Sequence, residues 1–73
     1  MAMTLRSLRV NKNLTQVESA EFIGVTPETI GKWEKGITFP NVPQLEKIQQ
    51  LYDVNYNDIN FLLNNVGLND NED

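Results

Sequence analysis

Apolar residues recur along this chain at helical spacing, in short runs separated by turn-forming residues. Leu5 and Leu8 open the first run with Arg9 on the same inward side, and Thr4 stands where an N-cap oxygen is needed. The pattern predicts a helix over Leu5 to Lys12, ended by Asn13, a residue that tolerates positive φ better than most. Thr15-Gln16-Val17-Glu18 reads as a capping box, in which a Thr hydroxyl and a Glu carboxylate each satisfy an orphan backbone donor. The second helix that it opens turns Ala20 and Ile23 inward and stops at Gly24. Thr26 followed by Pro27 starts a third helix, because the N–H that proline lacks would have no partner at the first helical position. Ile30 and Trp33 form its apolar stripe, and Gly36 ends it after Lys35.

Ile37 to Pro40 reads as an extended loop, since the residue before a proline is pushed out of the helical region. Asn41 caps a fourth helix in which Leu45, Ile48, Leu51 and Tyr52 make a strong amphipathic repeat. Asp53 and Val54 break it, and Asn55-Tyr56-Asn57-Asp58 is expected to begin a short fifth helix carrying Ile59, Leu62 and Leu63. Residues 65–73 lack both periodicity and apolar content and are expected to form a disordered acidic tail. The expected fold is all-α, with one compact five-helix domain over residues 1–64 and the tail over 65–73.

Composition narrows the chemistry. The chain has 73 residues, no cysteine and no histidine. A disulfide framework, a zinc–thiolate site, a Cys nucleophile and a His general base are therefore all excluded. The carboxylates are scattered without partners suited to acid–base work, so no enzyme and no cofactor is expected. No apolar run approaches the ~20 residues that span a bilayer, and no export signal opens the chain, so the cytoplasm is the expected location and no membrane partner is expected. Asn13-Leu14-Thr15 matches a glycosylation acceptor by chance spacing, and Gly31 and Gly36 mimic a phosphate loop only until Ile37 replaces its lysine. Six Lys and Arg against ten Asp and Glu give a net charge of −4, the wrong sign for a typical nucleic-acid binder. Asp70, Glu72 and Asp73 all fall in the last ten residues, however, and without those residues the net is −1.

Two short helices joined at Gly24-Val25-Thr26 have the geometry of a helix-turn-helix, which an ordinary helical hairpin shares. Leu14-Thr15-Gln16, Ala20, Ile23-Gly24-Val25, Pro27, Thr29-Ile30 and Trp33-Glu34-Lys35-Gly36 resemble, in order and spacing, the Cro/repressor-type (XRE-like) helix-turn-helix family. Pro40, Leu45, Ile48 and Val54 continue the likeness, which covers about residues 4–61. Leu5-Arg6-Ser7-Leu8-Arg9 and Phe39-Pro40 are most similar to short phage-associated members.

That resemblance implies a repressor-like domain whose third helix enters the DNA major groove, and a DNA-binding transcriptional regulator of phage or prophage type acting on operator DNA. It places a structural ion pair on Arg9 and Glu34 and a phosphate contact on Gln16, through its backbone N–H and its side-chain amide. Pro27, Glu28 and Lys32 fall at base-reading positions. Lys32 suits guanine O6 and N7, and Glu28 suits cytosine N4. Without DNA contacts, Glu28 would simply balance the helix dipole and Lys32 would be solvated. Thr26 and Thr29 complete the start of the reading helix, with Thr29 suited to a phosphate or a thymine methyl, while Lys35 and Thr38 would follow the phosphate backbone. Gly31, lacking a side chain, would let the helix approach closely.

Departures from the family pattern point elsewhere. Val17 and Phe22 place apolar groups on a usually polar helix face, Ile37 and Phe39 add two more near the DNA edge, and Ser19 stands where Leu or Ala is common. These four apolar residues are a candidate surface for a partner repressor, which makes an antirepressor the rival function. A purely structural interaction module is a third class. Ile59, Phe61, Leu62 and Leu63 are expected to support a weak homodimer, the assembly that half-site recognition normally needs.

Overall fold

Each helix begins at a side chain that the sequence supplies for the purpose. In the computed structural model, which describes residues 3–61, the order is β1 (Met3–Thr4), α1 (Leu5–Asn11), α2 (Gln16–Ile23), α3 (Pro27–Lys35), α4 (Val42–Tyr52), a 3-10 turn over Tyr56–Asp58 and β2 (Ile59–Asn60). Thr4 Oγ1 accepts from the Ser7 N–H at 3.1 Å and caps α1. At α2, Thr15 Oγ1 accepts from the Glu18 N–H at 3.0 Å while Glu18 Oε1 accepts from the Thr15 N–H at 2.8 Å, a complete capping box. Thr26 caps α3 ahead of Pro27, and Asn41 exchanges the same reciprocal pair of bonds with Gln44 at α4. Caps of this kind stabilise by about 1 kcal/mol each, which matters for helices of 7 to 11 residues that would be marginal alone.

The stops are equally local. Gly24 at φ 93° and Gly36 at φ 77° occupy the left-handed region that a Cβ disfavours, and Asn13 at φ 58° turns the chain out of α1. That helix ends at Asn11, one residue short of expectation, with Lys12 as its C-cap. Asp53, at φ 55°, closes α4.

One core gathers Leu5 and Leu8 of α1, Ala20 and Ile23 of α2, Ile30 and Trp33 of α3, Ile48 and Tyr52 of α4, and Ile59. Ser19 is fully buried within it (0% exposed) and does not leave the core thin. Its Oγ accepts a hydrogen bond from the Tyr52 hydroxyl at 3.0 Å, so both buried polar groups find a partner.

The fifth helix is the correction. After α4 the chain makes a single 3-10 turn and then runs extended, with Met3 paired to Ile59 and Thr4 to Asn60 in a parallel two-stranded ladder. Asn55, Asn57, Asp58 and Asn60 explain the failure, because their side chains compete with the backbone and disfavour a helix interior. Ile59 is buried in the domain's own core and is not available to a dimer, whereas Phe61 packs edge-on against Phe39 at 6.0 Å and beside Tyr56 at 5.7 Å. The described residues are therefore mostly helical, with four α-helices and a helix-turn-helix. Leu62, Leu63 and the expected acidic tail lie outside the described residues.

Candidate nucleic-acid interface

The turn between α2 and α3 is set by Gly24. Its N–H and that of Val25 both donate to the Ala20 carbonyl, at 2.7 and 3.0 Å, and the chain re-enters a helix two residues later at Thr26. Ile30 and Trp33 anchor α3 to the core, which leaves Pro27, Glu28, Lys32 and Lys35 on its exposed side. These four, with Gln16, Gly31 and Ile37, line one open depression of about 440 Å³. Thr26, Thr29 and Thr38 do not line it. Thr26 and Thr29 share a hydroxyl–hydroxyl bond of 3.0 Å, with Thr26 Oγ1 also accepting from the Thr29 N–H, and Thr38 is exposed in the following loop.

The helices are locked together by charge. Arg9 donates from Nε to Glu34 Oε2 at 2.6 Å and from Nη2 to Glu34 Oε1 at 3.3 Å, with side-chain exposures of only 12% and 7%. Its Nη1 donates to the Leu14 carbonyl at 2.9 Å, so one guanidinium ties α1, the loop before α2 and the end of α3. The hydrogen bonds to Glu34 raise the Arg9 pKa still further, against a smaller opposing effect of burial.

Gln16 joins this network. Its Nε2 donates to Glu34 Oε1 at 3.2 Å, and because a carboxylate only accepts, the amide orientation is fixed. The side chain expected to aim at a phosphate thus commits one of its two protons to Glu34. The second proton and the backbone N–H, which as the first of α2 has no intrahelical acceptor, are what Gln16 has left to offer a ligand.

A second, larger depression of about 1020 Å³ lies between α1 and α3 and is lined in part by Arg6, Asn11, Gln16, Gly31 and Lys35. Arg6 and Asn11 were not among the expected site residues. The signal available in the sequence was the inward pairing of Arg9, which brings the face of α1 one turn earlier alongside the end of α3.

The two depressions resolve the charge puzzle. With Arg9 and Glu34 cancelling, their lining carries Arg6, Lys32 and Lys35 against Glu28, a net of +2. The remaining described charges are Lys12 and Lys47 against Glu18, Glu21, Glu46, Asp53 and Asp58, a net of −3. Arg9 aside, three of the six cations thus line the two depressions with a single uncancelled carboxylate, that of Glu28.

The sequence model of a family described as Helix-turn-helix matches residues 5–59. The chain belongs to this family. Among curated proteins it is similar to the HTH-type transcriptional activator BcrR of Enterococcus faecalis, 38% identical over 55 residues, which is 75% of this chain and 27% of that protein. It is also similar to the cryptic phage CTXphi transcriptional repressor RstR of Vibrio cholerae, 40% identical over 50 residues, which is 68% of this chain and 45% of that protein. The matches therefore span about a quarter and under half of those relatives' lengths. No solved structure matches the chain. Among the described residues no helix is long and apolar enough to cross a membrane.

Proposed function

We propose that this chain is a sequence-specific transcriptional regulator of phage or prophage type, which places α3 in the major groove of operator DNA. The observation that carries the reading is the excess of cations, Lys32 and Lys35 of α3 with Arg6 of α1 against Glu28, lining the two depressions of a chain whose total charge is negative. Steering by such a face depends on the local potential and not on the net charge. Lys32 donates to guanine O6 and N7, Glu28 accepts from cytosine N4, and Pro27 and Thr29 pack at the groove. Gln16, Thr26, Lys35 and Thr38 hold the backbone and so set the register without reading sequence. The similarity to a phage repressor supports the phage assignment, and the similarity to an activator supports regulation at DNA without fixing its sign. Two copies would bind as a weak dimer on half-sites about one helical turn apart. Titrating wild-type protein against random duplex DNA at rising salt tests the reading. Affinity that falls linearly on a log–log plot supports it, and absent binding at low salt refutes it.

One observation favours a second reading. Val17, Phe22, Ile37 and Phe39 each remain about half exposed, more apolar surface than a phosphate-facing domain needs. An antirepressor would use them to cover a partner repressor, since protein interfaces rest on a few desolvated aliphatic and aromatic anchors. Phe39→Ser, which adds no charge near the DNA edge, would then abolish partner binding while leaving DNA affinity unchanged.

A further inference from the structure

The larger depression extends beyond the helix-turn-helix onto α1. Gln16, Gly31 and Lys35 line both depressions, so the two meet at a glycine that has no side chain to separate them. A methyl group there would sit 3.6 Å from Gln16 Nε2, an ordinary contact, so packing does not demand the glycine. The low boundary leaves a continuous path from the exposed side of α3 onto α1. On the α1 side stands Arg6, which is exposed. Among the described residues the ion pair is that of Arg9 with Glu34, and Arg6 makes no side-chain hydrogen bond to any of them. Arg6 therefore offers its whole guanidinium fork, a shape that matches phosphate oxygens in pairs.

We propose that Arg6 is a phosphate contact carried by the first helix, so that one strand of DNA runs from Lys32 and Lys35 across Gly31 to Arg6. The inference rests on the DNA-binding reading. An isolated anion does not suit the site. The depression is open and far larger than one phosphate group, and a single surface arginine holds a free ion weakly, whereas a row of three cations matches a polyanion.

The test is fluorescence anisotropy with a random-sequence duplex and with a duplex enriched by selection, at several salt concentrations. Wild type, Arg6→Ala, Arg6→Lys and Lys47→Ala are compared. Lys47→Ala removes the same charge from outside both depressions. Arg6→Ala should weaken binding to both duplexes alike and lower the log–log salt slope by about 0.9. Over a fourfold rise in salt its affinity should then fall about 3.5-fold less than that of wild type. Arg6→Lys should keep the wild-type slope, Lys47→Ala should change nothing, and all four should unfold at the same urea concentration. An Arg6→Ala protein with wild-type affinity and slope overturns the inference alone, as does one that loses only the enriched duplex or unfolds earlier. A wild type that binds neither duplex overturns the function and the inference together.

Discussion

Replacing Glu34 by alanine should remove a large part of this domain's stability. The carboxylate accepts from Arg9 Nε, Arg9 Nη2 and Gln16 Nε2, and the ion pair is largely screened from water, its side chains 12% and 7% exposed. Its loss strands a guanidinium that keeps only the Leu14 carbonyl as partner. Breaking a buried pair from one side costs about 3–5 kcal/mol, against about 0–1 for an exposed pair. A chain of 73 residues has roughly 4–11 kcal/mol in total at the usual 0.05–0.15 per residue, so Glu34→Ala consumes from about a quarter of it to all of it. With a urea dependence of about 1 kcal/mol per molar for a domain this small, the midpoint should fall by about 3 M, or the fold should be lost outright. Trp33, the single tryptophan, is buried beside the site and reports unfolding by fluorescence. Replacing both partners, Arg9→Met with Glu34→Leu, should recover most of the loss, because no charge is then left buried. A Glu34→Ala midpoint equal to wild type, or losses that simply add in the double variant, would refute the reasoning.

Three further outcomes follow from the same geometry. Gly31→Ala should stabilise the domain by about 0.8–1 kcal/mol, since the helix gains and the methyl meets the Gln16 amide at ordinary contact distances of 3.6 and 4.0 Å, while DNA affinity falls; urea and binding titrations on one sample check both signs. Burial lifts the Tyr52 phenol above its ordinary 10.0, outweighing the hydrogen bond to Ser19. A raised folded pKa on a group that is neutral when protonated gives stability that is full below about pH 10 and declines as pH rises through the folded value, so wild-type midpoints should drop more steeply above about pH 10 than those of Tyr52→Phe. At neutral pH the same variant should lose about 1–3 kcal/mol, because the Ser19 hydroxyl is left buried without its donor.

Most of the frame was legible because it is written in local signals. Thr4, Thr15 with Glu18, Thr26 and Asn41 each make the cap bond that their type and position imply, and Asn13, Gly24 and Gly36 each take the positive φ. The segment after Asp53 was misread because Ile59, Leu62 and Leu63 have helical spacing over too short a run to distinguish helix from strand. What decides it is a pairing with Met3 and Thr4, some 55 residues away in sequence, and no local pattern carries that. Separations of 18 and 33 residues likewise hid the use of the Gln16 amide by Glu34 and the partnership of Ser19 with Tyr52. The ion pair of Arg9 and Glu34 spans 25 residues, and it was anticipated only through the family resemblance. Arg6 was overlooked because solvated cations on a helix have no signature until the fold shows what they line.

The role of α3 is tested most directly by selecting preferred DNA sites from a random pool and measuring Lys32→Ala against wild type on the enriched site and on random duplex. Lys32 is exposed beside Glu28, Gly31 and Lys35 in the last turn of α3. If it reads a guanine, wild type should enrich a defined motif, and Lys32→Ala should lose about 1–3 kcal/mol of preference for that motif over random DNA, relaxed at one base position. A wild type that enriches no motif, or a Lys32→Ala variant that weakens both duplexes equally, would contradict base reading by α3.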